Sequence, residues 1–206
     1  MFKTIKENVS AEIVEKKSKF IANIFYVESA EEADKTIRKL KKKYYDSRHN
    51  CFAYRIFSQN GIIQKFSDDG EPSGTAGGPI LNILETKNLC NILVVVTRYF
   101  GGILLGTGGL VRSYSLATTE ALNKSNIIDK EFGVKISIEV GYSDLEKLKY
   151  YLSCNEMKIV SSEYLENIKI IVDTTKEKFI KLQENESELN FRIIKLECIS
   201  EIYVDS

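Results

Sequence analysis

The sequence predicts an α+β protein of two domains, on three observations. Charge divides the chain: residues 1–130 hold 19 basic and 14 acidic side chains and 131–206 hold 10 and 15, although the whole is neutral. Both prolines and ten of the twelve glycines fall between Gly61 and Gly109. After residue 133 the apolar pattern alternates between strand and helix periods in the order βαββαβ. The expected division is 1–127 and 131–206, with 125–131 as a polar connection, and 206 residues suffice for two separate cores.

In the first part, Val9–Val14 and Lys19–Val27 read as strands joined by a turn at Glu15-Lys16-Lys17-Ser18. Ser29 stands as an N-cap before Glu31 and Glu32, and Ala33, Ile37 and Leu40 recur at helical spacing as far as Tyr44. Lys39 and Lys41–Lys43 then suit the negative end of that helix dipole. Cys51–Phe57 and Ile62–Phe66 form a predicted hairpin over Gln59-Asn60-Gly61. A loop from Ser67 to Pro79 leads to a helix start at Ile80–Leu84 and a wholly apolar strand, Ile92–Val96. Beyond Gly101-Gly102 and Gly106-Thr107-Gly108-Gly109, the positions Leu110, Val111, Tyr114, Ala117, Ala121 and Leu122 trace a helix that starts on glycines.

The second part predicts strand Val134–Val140, helix Leu145–Leu152, strands Met157–Tyr164 and Ile168–Val172, helix Lys176–Gln183 and strand Phe191–Tyr203. A turn at Glu166-Asn167 makes the central strands a hairpin, so the pattern is that of a ferredoxin-like split βαβ domain.

No 18-residue apolar stretch exists to form a bilayer-spanning helix, and Met1–Ala11 is too polar for a signal peptide. Cys51, Cys90, Cys154 and Cys198 are far apart, and His49 is the only histidine. Neither a zinc site nor another cofactor is expected, and reduced, mostly buried thiols in a cytoplasmic protein are the simplest reading.

Two constellations carry chemistry. In Ser67-Asp68-Asp69-Gly70-Glu71-Pro72-Ser73-Gly74-Thr75-Ala76-Gly77-Gly78-Pro79, three carboxylates crowd four positions, so they must face water, meet cations or hold a metal. The same residue types also build turns. In Thr97-Arg98-Tyr99-Phe100-Gly101-Gly102 followed by Gly106–Arg112, glycines before a helix expose N–H groups that attract phosphate, flanked by Arg98 and Arg112. Close helix-to-sheet packing explains the glycines equally well. His49 and Cys51, two apart on a strand, share a face, as a Cys–His nucleophile requires. Arg98 is expected to pair with Asp68, Asp69 or Glu71.

Three ordered motifs, Arg48-His49-Asn50-Cys51-Phe52-Ala53-Tyr54-Arg55, Ser67–Gly77, and Val96–Gly102 with Leu105–Arg112, resemble the YigZ/IMPACT family. The resemblance implies an N-terminal domain like domain IV of elongation factor G and a C-terminal domain like its domain V. Eukaryotic relatives of the first domain regulate translation by competing for an activator of a stress-responsive kinase. The family commonly has lysine where this chain has Gly78 and Leu104, which lowers the expected affinity for a polyanion.

The leading expectation is a non-enzymatic binding protein that contacts RNA, the ribosome or a translation-related protein. Its binding residues are expected among His49, Arg55, Asp68, Asp69, Glu71, Ser73, Thr75, Arg98, Tyr99, Gly101, Gly102, Thr107, Gly108, Gly109 and Arg112. The Lys39–Lys43 run with Tyr44 and Tyr45 would add phosphate contacts and stacking. The alternative is an enzyme acting on a phosphorylated small molecule, with Asp68, Asp69 or Glu71 as acid, base or Mg²⁺ ligand.

Overall fold

The computed structural model describes residues 1–58 and 61–205. The predicted turn residues Gln59 and Asn60 lie outside the described residues, but the strands on either side pair antiparallel from Ser58↔Gly61 to Phe52↔Ser67. The chain forms two compact mixed α/β units, one spanning Phe2–Ile128 and the other running from Asp129 onward.

The larger unit contains β1 (Phe2–Ile5), β2 (Val9–Glu15), β3 (Ser18–Tyr26), α1 (Ala30–Lys43), β4 (His49–Ser58), β5 (Gly61–Ser67), α2 (Gly77–Thr86), β6 (Ile92–Tyr99) and α3 (Gly106–Asn123). Its main sheet has the order β2-β3-β6-β4-β5, with every neighbouring pair antiparallel. Strands β3 and β4 therefore run in the same direction on either side of β6 and are connected through α1. Strand alternation sorts the two faces. Phe20, Ala22, Ile24, Cys51, Ala53, Val94 and Val96 share a core with residues of α2 and α3, whereas Phe52, Tyr54, Ile56, Leu93 and Val95 share one with α1. Because β6 is covered on both faces, Ile92–Val96 is apolar without interruption.

Local chemistry sets the helix ends. Ser29 Oγ accepts from Glu32 N–H at 3.1 Å to start α1, and Lys41–Lys43 occupy its last turn. No side chain caps α3, whose N-cap position is Leu105.

The smaller unit is built from β7 (Ile127–Val140), α4 (Leu145–Cys154), β8 (Lys158–Tyr164), β9 (Ile168–Thr175), α5 (Lys176–Glu184) and β10 (Ile193–Asp205). Its strands lie in the order β10-β7-β9-β8, all antiparallel. Val134, Ile136, Ile138 and Val140 of β7 with Ile168, Ile170 and Val172 of β9 present one apolar face to Leu148, Leu152 and Leu182 of the helices.

Several expectations need correction. Residues 127–131 are strand rather than a polar connection, because β10 is long enough to pair Val204 with Glu131 and Asp205 with Lys130. Strand β1 was not predicted; its bonds are non-local, with Cys90 N–H donating to Lys3 O at 2.8 Å. Helix α2 begins at Gly77 rather than Ile80, since Asp68 Oδ1 reaches across the loop to accept from Ala76 and Gly77 N–H at 3.0 and 2.8 Å. Cys51 and Cys90 are buried, but Cys154 and Cys198 are exposed, at the end of α4 and on β10, so the thiols are not mostly buried.

Candidate functional site

The acidic loop between β5 and α2 is held by its own carboxylates. Asp68 accepts three backbone N–H groups, from Gly74 at 2.8 Å as well as from Ala76 and Gly77. Asp69, at φ 42°, accepts from Asn50 N–H at 2.7 Å and pairs with Lys41 of α1 at 2.5 Å. Glu71 is buried and accepts from Arg98 Nη1 at 2.7 Å and Tyr114 Oη at 2.8 Å. The three charges thus meet amides and cations and do not converge on one point. Among the described residues no group of three or more His, Cys, Asp or Glu is placed to hold a metal ion.

Arg98, on the central strand β6, lies between the rings of Phe20 and Phe100, 5.5 and 5.6 Å from their centroids. Its pair with Glu71 is buried, with side-chain exposures of 7% and 3%. Close by, the Cys51 thiol donates to Asp68 O at 2.9 Å, with Tyr114 Oη at 3.3 Å. Burial pushes the thiol up to about 12, and burial likewise drives the Tyr114 hydroxyl upward. A thiol so disfavoured from ionising is no nucleophile, so a Cys–His reading is not supported. His49 makes its own bond, from Nδ1 to Asp69 O at 2.9 Å; a carbonyl only accepts, so Nδ1 carries the proton.

Over this scaffold opens a cleft of about 530 Å³, lined by Arg48, His49, Gly70, Glu71, Pro72 and Arg98 on one side and Leu104, Leu105, Gly106, Thr107 and Leu110 on the other. The acidic and glycine-rich loops therefore meet at one place, and the uncapped N-terminus of α3 forms part of the wall. The cleft offers donors and apolar surface, while Glu71, the only carboxylate on its wall among the described residues, is already paired.

Of the residues singled out in the sequence, the cleft brings together His49, Glu71, Arg98 and Thr107. Others serve elsewhere. Arg55 Nη1 donates to the carbonyls of Leu84 and Leu89 at 3.2 and 3.1 Å, tying β4 to the end of α2. Thr75 Oγ1 donates to Pro72 O at 2.6 Å within the loop, and Ser73 is exposed. The Tyr99 hydroxyl donates to Asp46 at 2.8 Å, and that bond pushes it up to about 12. Gly101 N–H donates to Ser18 Oγ at 3.2 Å, and Gly102 sits in an exposed turn at φ 85°. Gly108 and Gly109 lie in the first turn of α3. Arg112 borders a separate hollow of about 220 Å³ with Lys16 and Leu116. Sequence reasoning missed Tyr114 as the second donor to Glu71 and Arg48 as a cleft cation. Arg48 stood in a quoted motif, next to His49, and the polar hydroxyl in an otherwise apolar helical stripe was the signal for Tyr114.

The family model of the Impact N-terminal domain matches residues 16–122, and a model for a domain of unknown function, DUF1949, matches 138–184. The IMPACT family member YvyE of Bacillus subtilis is 40% identical over 165 residues, 80% of this chain and 76% of its own. The member YigZ of Escherichia coli is 36% identical over 150 residues, 72% of this chain and 74% of its own. Among solved structures, that of a hypothetical protein superimposes with a TM-score of 0.66 at 29% identity, covering 97% of both chains.

Proposed function

The chain belongs to the IMPACT family, and from that premise we propose that it is a non-enzymatic binding protein linked to translation or its regulation, acting through contact with RNA. One observation carries the reading: in the acidic loop and the elements beside it the three loop carboxylates are consumed internally, Glu71 by Arg98 and Asp69 by Lys41, while further cations are left over. Asp68, Asp69 and Glu71 are all engaged, whereas Lys39, Lys42 and Arg48 are exposed with no carboxylate paired to them among the described residues. The Lys41–Asp69 pair holds the basic end of α1 beside the acidic loop, and Tyr45, 84% exposed, offers a ring for stacking. A surface of this kind attracts a polyanion, and phosphate contacts make such binding salt-dependent.

The fold supports the same reading. In the smaller unit, the element order and the β10-β7-β9-β8 sheet support a ferredoxin-like domain comparable to domain V of elongation factor G. The crossover from β3 through α1 to β4 around β6 supports comparison of the larger unit with domain IV. The test is an equilibrium titration with ribosomal RNA fragments at low and physiological salt. Wild type should bind at low salt, and Lys39→Glu/Lys42→Glu should bind more weakly. No binding at low salt removes the RNA reading and favours a protein partner.

A further inference from the structure

The geometry points to the cleft between Gly70–Pro72 and Leu104–Thr107 as a binding site for a nucleotide, with the phosphate at the N-terminus of α3 and the apolar body against the leucines. This deepens the preceding reading and rests on it in one respect, that the ligand chemistry is that of a nucleic acid. It is carried by residues other than the lysine run.

Three features combine. First, α3 is an 18-residue helix whose first N–H groups have no capping side chain, and Gly106 and Thr107 of its first turn line the cleft. Such a terminus favours an anion. Secondly, the same wall has cationic donors. Arg48 is exposed and unpaired with any carboxylate among the described residues. Arg98 is nine-tenths buried, gives Nη1 to Glu71 and Nη2 to Ser18 Oγ at 3.5 Å, and has an Nε–H with no acceptor among the described residues. A buried donor without an acceptor is costly, and Arg98 stands in the cleft wall with that donor unmet. Thirdly, the rest of the wall is apolar: Pro72, Leu104, Leu105 and Leu110, with Leu104 82% exposed. An anion alone leaves that surface wet. At about 530 Å³ the cleft falls within the size range of small-molecule sites, and it suits an anion joined to an apolar body.

The phosphate has two sources, a free mononucleotide or the terminal phosphate of an RNA strand. Calorimetric titration with AMP, adenosine, inorganic phosphate, and an RNA octamer with and without a 5′-phosphate separates them. AMP should bind more tightly than either adenosine or phosphate, and Arg48→Ala should weaken it about tenfold or more. Thr107→Asp places a carboxylate in the first turn of α3, where it stabilises the helix and repels the ligand. It should abolish AMP binding without lowering the melting temperature, which separates loss of the site from loss of fold. Leu104→Lys should tighten binding and steepen its salt dependence by about one phosphate contact. A preference of the octamer for its 5′-phosphorylated form identifies an RNA end as the source, and AMP binding with no such preference identifies the free nucleotide. If neither AMP nor the phosphorylated octamer binds, or if Arg48→Ala and Thr107→Asp bind AMP as wild type does, the proposal is overturned. RNA bound through Lys39 and Lys42 without AMP binding overturns this site alone. AMP binding without RNA binding overturns the RNA reading and leaves the site in place.

Discussion

Glu71 and Arg98 form an ion pair at 2.7 Å with almost no access to water, 27 residues apart in sequence and on different elements. Removing one partner strands the other in the interior. Arg98→Ala should cost about 3–5 kcal/mol of stability by urea unfolding, whereas Arg98→Met combined with Glu71→Leu should cost much less than the two single changes added. Additive effects would show that the pair is not coupled.

Asp68 organises its loop through three backbone amides. In Asp68→Ala the N–H groups of Gly74, Ala76 and Gly77 lose their acceptor, and hydrogen exchange at these amides should accelerate well before any global loss of structure. The change should destabilise by about 2–3 kcal/mol, since hydrogen bonds to a charged group are the stronger kind. Unchanged exchange at all three amides would contradict this role.

The Cys51 thiol titrates near 9.0 when free and at about 12 in the fold. Between those values the unfolded chain has released a proton that the native chain still holds, so rising pH favours unfolding. This part of the stability is intact below pH 9 and falls as pH rises toward 12. Tyr114, raised chiefly by burial, acts in the same direction. Cys51→Ala should therefore flatten the alkaline fall in melting temperature. At pH 8, exposed Cys154 and Cys198 should react with a thiol reagent while Cys51 does not.

At Gly101 an added Cβ would overlap the backbone of Lys17 and Ser18 in the β2–β3 turn. Gly101→Ala should destabilise by several kcal/mol, whereas at Gly108 the nearest neighbour of an added Cβ is the end of Arg112, 3.8 Å away. Gly108→Ala should thus be neutral or stabilising by up to about 1 kcal/mol, through helix propensity. Thermal unfolding of the two variants side by side tests the contrast.

The two units have separate apolar cores, one centred on Phe20, Ile80 and Tyr114 and the other on Ile136, Leu148 and Ile170. Expressed as 1–128 and 129–206, each piece should fold alone, as judged by amide dispersion in NMR spectra. Collapse of both spectra would show that neither core suffices.

Much of the fold was legible because its signals are local. Ser29 with Glu31 and Glu32 marked the start of α1, and the unbroken run Ile92–Val96 marked the strand covered on both faces. The misses share one cause, dependence on a distant partner. Phe2–Ile5 is too short to read without knowing that Lys3 meets Leu89 and Cys90. Gly77 starts α2 only because Asp68 reaches it. For the site, residue types indicated that three carboxylates needed partners, but not that Lys41, Tyr114 and loop amides would be among them. The lysine run, read as phosphate contacts or a solvated face, is in part an internal brace through Lys41.

The placement of β6 at the centre of the β2-β3-β6-β4-β5 sheet also dictates an order of events on the ribosome. Synthesis delivers β2–β3 and β4–β5 first, as two hairpins that are not neighbours in the sheet. Only when Ile92–Tyr99 clears the exit tunnel does one strand slide between β3 and β4 and join them. Until then two apolar strand edges wait open. Such non-local closure is slow and exposes nascent chain to mispairing. The same strand delivers Arg98, so the wall of the cleft and the closure of the sheet arrive in a single step.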